Sequence, residues 1–244
     1  MGLLAMIKEN SRRISDATAG TRDYFELATT NLSLYRALRR AAGEHLHGRL
    51  LDAGAGRMAY RDMLREVCER YESLDQSPAD GIDHVADLQH TGLPDAQYDS
   101  VFCSQVLQHL PEPELAVREI ARVLKPGGRA VISVPHLVWL HNEPHDYWRF
   151  TPHGMRHLLE KAGLRVVSTE PVGGLVCFLA YAPSTLGLAL LWPVRPLFRL
   201  GLLLNRLFIR LALAVDRLAG VRALYPTNVL VVAERPGGRT TGAG

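Results

Sequence analysis

Residues 50–56, LLDAGAG, join an uninterrupted apolar stretch to an acidic, glycine-rich turn, and they constrain the fold more than any other segment. The apolar part predicts a buried parallel strand. Gly54 and Gly56 allow the tight backbone turn that would lead into a helix over residues 60–70. Ligands of open α/β sheets bind in the crevice outside the carboxyl ends of such strands, and Asp52 would place a carboxylate at the mouth of that crevice. Taken alone, the segment fits a ligand-binding turn and a purely structural turn equally well.

Four further segments are predicted to be strands, namely residues 71–75, 85–88, 98–104 and 129–135. Asp75 ends the first of them about 20 positions after Gly56, the separation at which an acid accepts hydrogen bonds from a ribose diol. Asp87 lies at the end of the next predicted strand, where Asp87 and Leu88 could form hydrogen bonds with the edge of an adenine. Asp52 would repel a pyrophosphate but attract a cationic or hydroxylated ligand. The three acids together therefore favour S-adenosylmethionine over a dinucleotide.

A helix is predicted over residues 113–124, between the last two of these strands. The sequence KPGG at 125–128 closes it, since proline and glycine stop helices.

These segments together resemble the class I S-adenosylmethionine-dependent methyltransferases, in particular the small-molecule group called methyltransferase type 11. The matching motifs follow the order and spacing of that family: LDAGAG at 51–56, Asp75, DL at 87–88, LPD at 93–95, YD at 98–99, QVLQHL at 105–110 and VLKPGG at 123–128. One departure is that Arg57 and Met58 stand where many members have a third glycine.

The resemblance implies an α/β fold, with a Rossmann-like, doubly wound, seven-stranded and mostly parallel sheet and with S-adenosyl-L-methionine as the cofactor. The positions that it implies for cofactor binding are Asp52, Ala53, Gly54, Gly56, Asp75, Gln76, Asp87, Leu88, Ser104 and Gln105.

The 244 residues fit one α/β domain with additions. We predict a helical segment at 1–48 that covers the cofactor site, a cofactor-binding core at 49–170, an apolar helical insertion at 171–226, a final strand at 227–235 and a disordered tail at 236–244. Cys68, Cys103 and Cys177 have no ligand spacing, which predicts reduced cysteines and no metal site. The first 20 residues lack the charged-then-apolar order of a signal peptide, so a cytoplasmic location is predicted.

The predicted insertion at 171–226 combines apolar sequence with regularly spaced arginines. No charged residue occurs from 171 to 194, although Pro183-Ser184-Thr185 predicts a broken or re-entrant helix within this run. Arginines then recur every four or seven positions on a second apolar helix that would end at Gly220, and that spacing aligns all five in one stripe, the arginine stripe: Arg195, Arg199, Arg206, Arg210 and Arg217.

Such a helix fits an anionic membrane surface, where leucines enter the acyl region and arginines reach the headgroups. Two other interpretations stay open. The insertion could be a cap buried against the domain or in a homodimer, with its arginines outward, or the uncharged run could belong to a membrane-spanning hairpin.

Residues 142–152 would hang over the ligand crevice, because they follow the fifth strand. Thr151-Pro152 then predicts a helix start, with Thr151 as its cap. This stretch resembles a segment of type 11 methyltransferases that are associated with bacterial surface-polysaccharide and lipid pathways.

Methyl transfer to a hydroxyl needs a base, for which a histidine is suited. His145, oriented by Asp146, is the first candidate, with His109 and His141 behind it; each of these histidines could instead be structural. Candidate substrate contacts are His141, Tyr147, Trp148 and Arg149, although the aromatic residues could equally fasten the loop.

The sequence therefore predicts a methyltransferase on the cytoplasmic face of the membrane, acting on a hydroxyl of a lipid-linked, glycan or other hydrophobic acceptor. Two alternatives stay open, a soluble natural-product methyltransferase whose insertion forms a hydrophobic lid and a non-catalytic membrane module of the same fold. No nucleic-acid partner is predicted, because no basic patch with interleaved aromatic residues occurs outside the insertion.

Overall fold

The computed structural model describes residues 2–19, 21–140, 142–219 and 225–237. The strands are β1 (Arg49–Ala53), β2 (Arg70–Asp75), β3 (His84–Val85), β4 (Tyr98–Ser104), β5 (Leu124–Pro135), β6 (Arg165–Val172) and β7 (Asn228–Glu234). The helices are α1 (Leu3–Thr18), α2 (Arg22–Phe25), α3 (Thr29–His45), α4 (Arg61–Arg65), α5 (Pro113–Val123), α6 (Pro152–Lys161), α7 (Leu175–Leu191) and α8 (Arg195–Ala219). One turn of 3₁₀ helix covers Leu107–His109.

The seven strands form one sheet in the order β3-β2-β1-β4-β5-β7-β6, which confirms the predicted α/β fold. Strands β1 to β5 run parallel. The chain builds β2 and β3 on one side of β1 and then crosses to place β4 on the other side. The strand order therefore reverses beside β1, and ligands of doubly wound sheets bind outside the carboxyl ends of the strands at such a point.

The core lies where the apolar strand segments predict it. Leu50 and Leu51 of β1 are fully buried, and the central strands have similar apolar sequence because helices cover both faces of a parallel sheet. The predicted helix after β4 is confirmed as α5. Thr151 caps α6 as predicted, since its hydroxyl accepts a hydrogen bond from the backbone N–H of Gly154 at 2.9 Å.

Two local predictions are wrong. The helix after the glycine turn is confined to α4, and the third strand is β3, which ends before Asp87. The predicted helix stop is confirmed, since α5 ends at Val123, and residues 125–128 then belong to β5, which runs through them with a register shift against β4. Gly128 allows that path, because a Cβ there would lie 2.9 Å from the carbonyl oxygen of Lys125 and 3.0 Å from that of Asp99.

The chain forms two compact units. One, here called the sheet unit, comprises Leu38–Pro135, Trp139–Glu170 and Val229–Gly244. The other, the helical unit, comprises Met1–Ala37, His136–Val138 and Pro171–Asn228. The predicted boundaries at 49 and 171, and the predicted covering of the cofactor site by residues 1–48, stay predictions. Gly220 and residues 238–244 of the predicted tail lie outside the described residues.

In the helical unit, α7 and α8 form an antiparallel hairpin. Asp216, near the end of α8, accepts hydrogen bonds from the first turn of α7. Gly201, near the start of α8, packs against the end of α7, where a Cβ would lie 2.5 Å from Cδ1 of Leu191. Buried amides fasten the hairpin to other segments of the same unit, since Asn205 donates to the carbonyl of Leu27 and Asn10 to that of Ala189.

The predicted break at Pro183 is wrong, because α7 continues through it. Pro183 is exposed, and the hydroxyls of Ser184 and Thr185 donate to the carbonyl of Tyr181 at 2.8 and 3.0 Å. Serine and threonine within helices commonly donate in this way to a carbonyl of the preceding turn. Among the helices that the structure describes, none has both the length and the apolar character needed to cross a bilayer.

Candidate active site

The glycine turn after β1 is fastened to the neighbouring strand β2. The backbone N–H groups of Gly54 and Ala55 both donate to the carbonyl of Leu74, at 2.8 and 2.9 Å. Gly54 has φ +83°, and a Cβ there would lie 2.3 Å from Cγ2 of Val106. Gly56 has φ +53°, but a Cβ there would meet no protein atom within 4 Å. Gly54 therefore serves close packing, while Gly56 borders open space in which a ligand can approach the backbone.

Asp75 joins the end of β2 to the glycine turn. Its Oδ2 accepts a hydrogen bond from the N–H of Gly56 at 2.8 Å, and its Oδ1 accepts one from the N–H of Ser77 at 2.9 Å. The side chain is half-buried, with Gln76 exposed beside it. A carboxylate has about four acceptor positions, so two are left for the hydroxyls of a diol.

The predicted exposure of Asp52 at the mouth of the crevice is wrong. Asp52 is only 3% exposed, and its Oδ2 accepts a hydrogen bond from the hydroxyl of Tyr71 at 2.8 Å. Burial raises the pKa of Asp52 to about 7, and the nearby Asp75 carboxylate adds to the rise, although the Tyr71 hydrogen bond opposes it. The carboxyl is therefore about half protonated at neutral pH, instead of a full negative charge facing the ligand.

Asp87 and Leu88 follow β3 and differ in what they offer a ligand. Asp87 is exposed, and its carboxylate accepts hydrogen bonds from the backbone N–H and the side-chain amide of Gln89 at 2.9 and 3.0 Å. The side chain of Leu88 is buried in the core of the sheet unit. A ligand could reach Leu88 only through its backbone.

Ser104 and Gln105 connect the end of β4 to β5. The hydroxyl of Ser104 lies 2.9 Å from that of Ser133, and the N–H of Gln105 donates to the Ser133 carbonyl at 2.9 Å. Gln105 has φ +58°, an uncommon conformation for a residue with a side chain. This turn lies beside the glycine turn, because the next residue, Val106, is the one that Gly54 contacts.

Both ring nitrogens of His109 are occupied. Nδ1 lies 2.5 Å from the carbonyl oxygen of His145, which can only accept, so Nδ1 carries the proton. Nε2 is then the acceptor, and it lies 3.2 Å from the amide nitrogen of Gln108. The geometry therefore favours the structural alternative for His109, as an anchor for the loop that contains His145.

The prediction that Asp146 orients His145 is wrong. The buried Asp146 carboxylate forms a two-point ion pair with the guanidinium of Arg149, at 2.6 and 2.8 Å. Arg149 also donates to the backbone carbonyl of Trp139 at 3.0 Å, so this ion pair locks the loop. Nδ1 of His145 instead lies 3.1 Å from the hydroxyl of Tyr147, and the His145 side chain is exposed.

The same loop is fastened to the segment after β4. The backbone N–H of Tyr147 donates to the carbonyl of Gln108 at 2.9 Å, and the indole N–H of Trp148 donates to the carbonyl of Leu110 at 2.9 Å. Both aromatic side chains are nevertheless exposed, so a ligand can still contact them. His141, the remaining predicted substrate contact, lies outside the described residues.

The sequence analysis assigned no site role to Tyr71, Gln108 or Ser133, although each supports a site residue. Ser133 had a readable signal, since it is the polar residue within the apolar segment 130–135 and stands opposite Ser104 in the register of β4 and β5. Gln108 lies within the QVLQHL motif, but neither that motif nor the sequence around Tyr71 reveals their partners, which depend on how side chains point in the folded sheet.

The chain is similar to known methyltransferases. Residues 51–132 match the family profile described as a methyltransferase domain. The malonyl-[acyl-carrier protein] O-methyltransferase of Serratia marcescens is 33% identical over 129 residues, which are 45% of this chain and 50% of that protein. A ubiquinone biosynthesis O-methyltransferase of Aeromonas salmonicida is 33% identical over 100 residues, 35% of this chain and 42% of that protein. The chain thus spans about half the length of the curated relatives that it matches.

Solved structures share the fold at low sequence identity. The [4+2]-cyclase SpnF has a TM-score of 0.56 at 21% identity, covering 83% of this chain and 81% of its own. The 1,6-didemethyltoxoflavin-N1-methyltransferase of Burkholderia thailandensis, solved with its substrate and S-adenosylhomocysteine, has a TM-score of 0.56 at 16% identity, covering 96% and 89%. The match over residues 51–132 and the similar curated proteins support a class I S-adenosylmethionine-dependent methyltransferase domain in this chain, and the solved structures share its fold.

Proposed function

We propose that this protein transfers the methyl group of S-adenosylmethionine to a hydroxyl of a hydrophobic, lipid-linked or glycan acceptor at the cytoplasmic face of a membrane. The observation that carries the transfer itself is the placement of Asp75. Its carboxylate lies where the strand order reverses, with two acceptor positions left and with open space above Gly56.

Each residue of the site has a part in the proposed binding of the cofactor. Asp75 would accept the ribose hydroxyls, Asp87 and the backbone of Leu88 would bind the adenine, and the turn at Gly54 and Gly56 would take the methionine end. The buried Asp52 and the turn at Ser104 and Gln105 would form the wall of this space. When bound, the cofactor would supply an electrophilic methyl group on a sulfonium, and S-adenosylhomocysteine would leave as the acceptor oxygen takes that methyl in line.

The chain's own part in the reaction is to position the acceptor and remove its proton. His145 is the better placed histidine, because both nitrogens of His109 are already occupied. When Nδ1 of His145 donates to the Tyr147 hydroxyl, Nε2 is the basic nitrogen and faces away from that bond. The exposed rings of Tyr147 and Trp148 could stack on an acceptor, whereas Arg149 is committed to Asp146.

Two kinds of support favour an oxygen acceptor and a hydrophobic one. Both curated relatives described above are named O-methyltransferases. The helical unit also exposes many large apolar side chains on α7 and α8, which suits a reaction on a lipid-linked molecule at a membrane.

The first test is calorimetric titration of S-adenosylmethionine and S-adenosylhomocysteine into the wild-type protein and the Asp75→Ala variant. We expect binding to the wild type and at least a tenfold loss in the variant. Asp95→Ala is a matched control, because Asp95 is an exposed acid in the sheet unit that pairs with Arg122. No binding to a folded wild type would sink the proposal and favour a non-catalytic module of the same fold.

A second candidate is a different reaction on the same fold, because SpnF is described as a cyclase and folds do not fix chemistry. Incubation with lipid extracts and methyl-labelled cofactor separates the two. Label in an extractable lipid supports the proposal, while cofactor binding without any transfer favours the second candidate. A soluble natural-product methyltransferase would instead label a water-soluble acceptor in the absence of membranes.

A further inference from the structure

Helix α8 has three distinct faces. Its buried face packs inside the helical unit and contains Asn205, Ile209, Ala212, Leu213 and Asp216. At about 100° per residue, the arginine stripe occupies the next roughly 60° of the helix surface, beside that buried face. Beyond the stripe lies the exposed leucine face, which contains Leu200, Leu203, Leu204, Leu207, Leu211, Val215 and Leu218.

The exposed leucine face is unusual for a surface in water. Leu207 is 68% exposed, Leu211 62% and Leu218 86%. These side chains recur along most of α8, and a contiguous apolar surface of this kind marks an interaction site in natural proteins. Packing within the helical unit therefore covers one side of α8 and leaves the exposed leucine face without a partner among the described residues.

The arginines of the arginine stripe differ in whether they form ion pairs. Arg206 forms ion pairs with Asp23 and Glu26, and Arg210 forms one with Glu26 at 2.8 Å. These two arginines are thus already neutralised by acids of the α2 region. The prediction that all five arginines face lipid headgroups therefore does not hold for them.

Arg195, Arg199 and Arg217 form no ion pair with any residue that the structure describes. They stand at the two ends of the exposed leucine face. No described residue of α7 is acidic, and Asp216, the one acid of α8, is buried at the start of α7. The exposed surface of the hairpin is therefore apolar, and the charges at the two ends of its border are positive.

We propose that α8 lies in the plane of an anionic bilayer, with the exposed leucine face in the acyl region and with Arg195, Arg199 and Arg217 on headgroup phosphates. Long arginine side chains at the edge of an apolar face can reach outward to the headgroups while the leucines sink. The proposal extends the membrane-surface part of the proposed function and is independent of the methyl transfer.

The positive charges at the ends of the exposed leucine face favour a bilayer over a second copy of the chain as its partner. In a two-fold dimer through this face, antiparallel helices would bring Arg195 and Arg199 toward the partner's Arg217, and parallel helices would set each arginine beside its equivalent. No acid on the hairpin surface would compensate for this repulsion. An anionic headgroup layer compensates all three arginines at once.

The test is flotation of the full-length protein with two kinds of vesicle, phosphatidylcholine alone and equal parts of phosphatidylcholine and phosphatidylglycerol. We expect the wild type to float strongly with the anionic vesicles and weakly with the neutral ones, with added salt reducing the difference. Replacing Arg195, Arg199 and Arg217 by Gln should lower the anionic partition coefficient about fivefold per arginine.

Matched variants separate the apolar contribution from the fold. Leu203, Leu207 and Leu211→Ser should abolish flotation with both kinds of vesicle, while Val85 and Val167→Ser, exposed valines of the sheet unit, should leave it unchanged. A wild type that floats with neither vesicle overturns the proposal. So does a wild-type dimer that the leucine variant converts to monomers, because a second copy is then the occupant.

Cofactor titration of the same variants keeps the two proposals apart. If the leucine variant binds S-adenosylmethionine normally and the wild type does not float, only the lipid proposal fails. If the wild type floats but binds no cofactor, only the methyltransferase proposal fails.

Discussion

The carboxylate of Asp216, near the end of α8, accepts a hydrogen bond from the backbone N–H of Val176, in the first turn of α7, at 3.0 Å. The N–H groups of a first helical turn have no partner within the helix, and a negative charge there also opposes the positive end of the helix dipole. The side chain of Asp216 thus caps the preceding helix through an N–H that lies 40 positions earlier in the chain. This contact ties the two ends of the hairpin together.

Asp216→Ala should therefore lower the free energy of unfolding by about 1–2 kcal/mol, because it removes a cap and leaves buried N–H groups without an acceptor. Chemical denaturation followed by circular dichroism measures the change. Asp216→Asn, which keeps an acceptor oxygen, should lose less. Equal losses in the two variants would show that the charge, and not the hydrogen bond, stabilises this end of α7.

Gly54→Ala and Gly56→Ala should separate stability from cofactor binding. At Gly54 the new methyl would overlap Val106, so we expect a large fall in melting temperature. At Gly56 it would meet no protein atom, so we expect the protein to fold with a modest loss from the positive φ but to bind the cofactor weakly. Thermal unfolding and calorimetric titration check the pair. Normal cofactor binding by Gly56→Ala would contradict the assignment of this turn.

Asp52 should make stability depend on pH. Its pKa is raised from 3.8 to about 7 by burial, so the folded state keeps a proton that the unfolded state releases as pH rises above 3.8. The contribution of Asp52 to the free energy of unfolding should therefore fall by about 1.4 kcal/mol per pH unit between these values and then level off. The Asp52→Asn variant has no ionisable group at this position, so its free energy of unfolding should not show this fall with pH.

The stability of Asp52→Asn relative to the wild type should consequently increase between pH 5 and pH 7, both lying within the interval defined by these pKa values. Denaturation at several pH values measures it, with Asp80→Asn, an exposed acid of the same unit, as the control. A difference that does not change with pH would show that Asp52 is ionised throughout.

The ion pair between Asp146 and Arg149 should behave as one unit in a double-mutant cycle. Asp146→Ala removes the carboxylate from this ion pair, and Arg149→Ala removes the guanidinium from beside a buried carboxylate, so each single variant should be destabilised. The double variant should be less destabilised than the sum, with a coupling of about 1–3 kcal/mol. His145→Asn should leave stability nearly unchanged, because His145 is exposed. Additive effects of the two substitutions on stability would contradict the conclusion that this ion pair fixes the loop.

The sequence predicted those features that local pattern and chain order determine. Strand β1, its glycine turn and the acid at the end of β2 follow from an apolar run, two glycines and one spacing. Their direct contact, Gly56 to Asp75, joins the two positions that the motif selects.

The failures have a common cause, which is that the partner of a side chain is set by the fold and not by its neighbours in sequence. Asp52 is buried because it points to Tyr71 on the adjacent strand, and periodicity within β1 could not reveal that. Glu26 neutralises Arg210 from 184 positions away, so the arginine stripe looked uniform in sequence and is divided in the structure. Asp146 has two basic residues within three positions, His145 and Arg149, and only the folded loop shows that its ion pair is with Arg149.

The hydrogen bonds of Asp75 have a consequence for how quickly the site can be filled. Its carboxylate holds the glycine turn and the following turn at Ser77 through hydrogen bonds within the protein itself. The conformational entropy of ordering these segments is therefore lost during folding and not on association. A ligand that enters a preorganised site of this kind should bind in a single kinetic phase, without a slow closing step after the encounter.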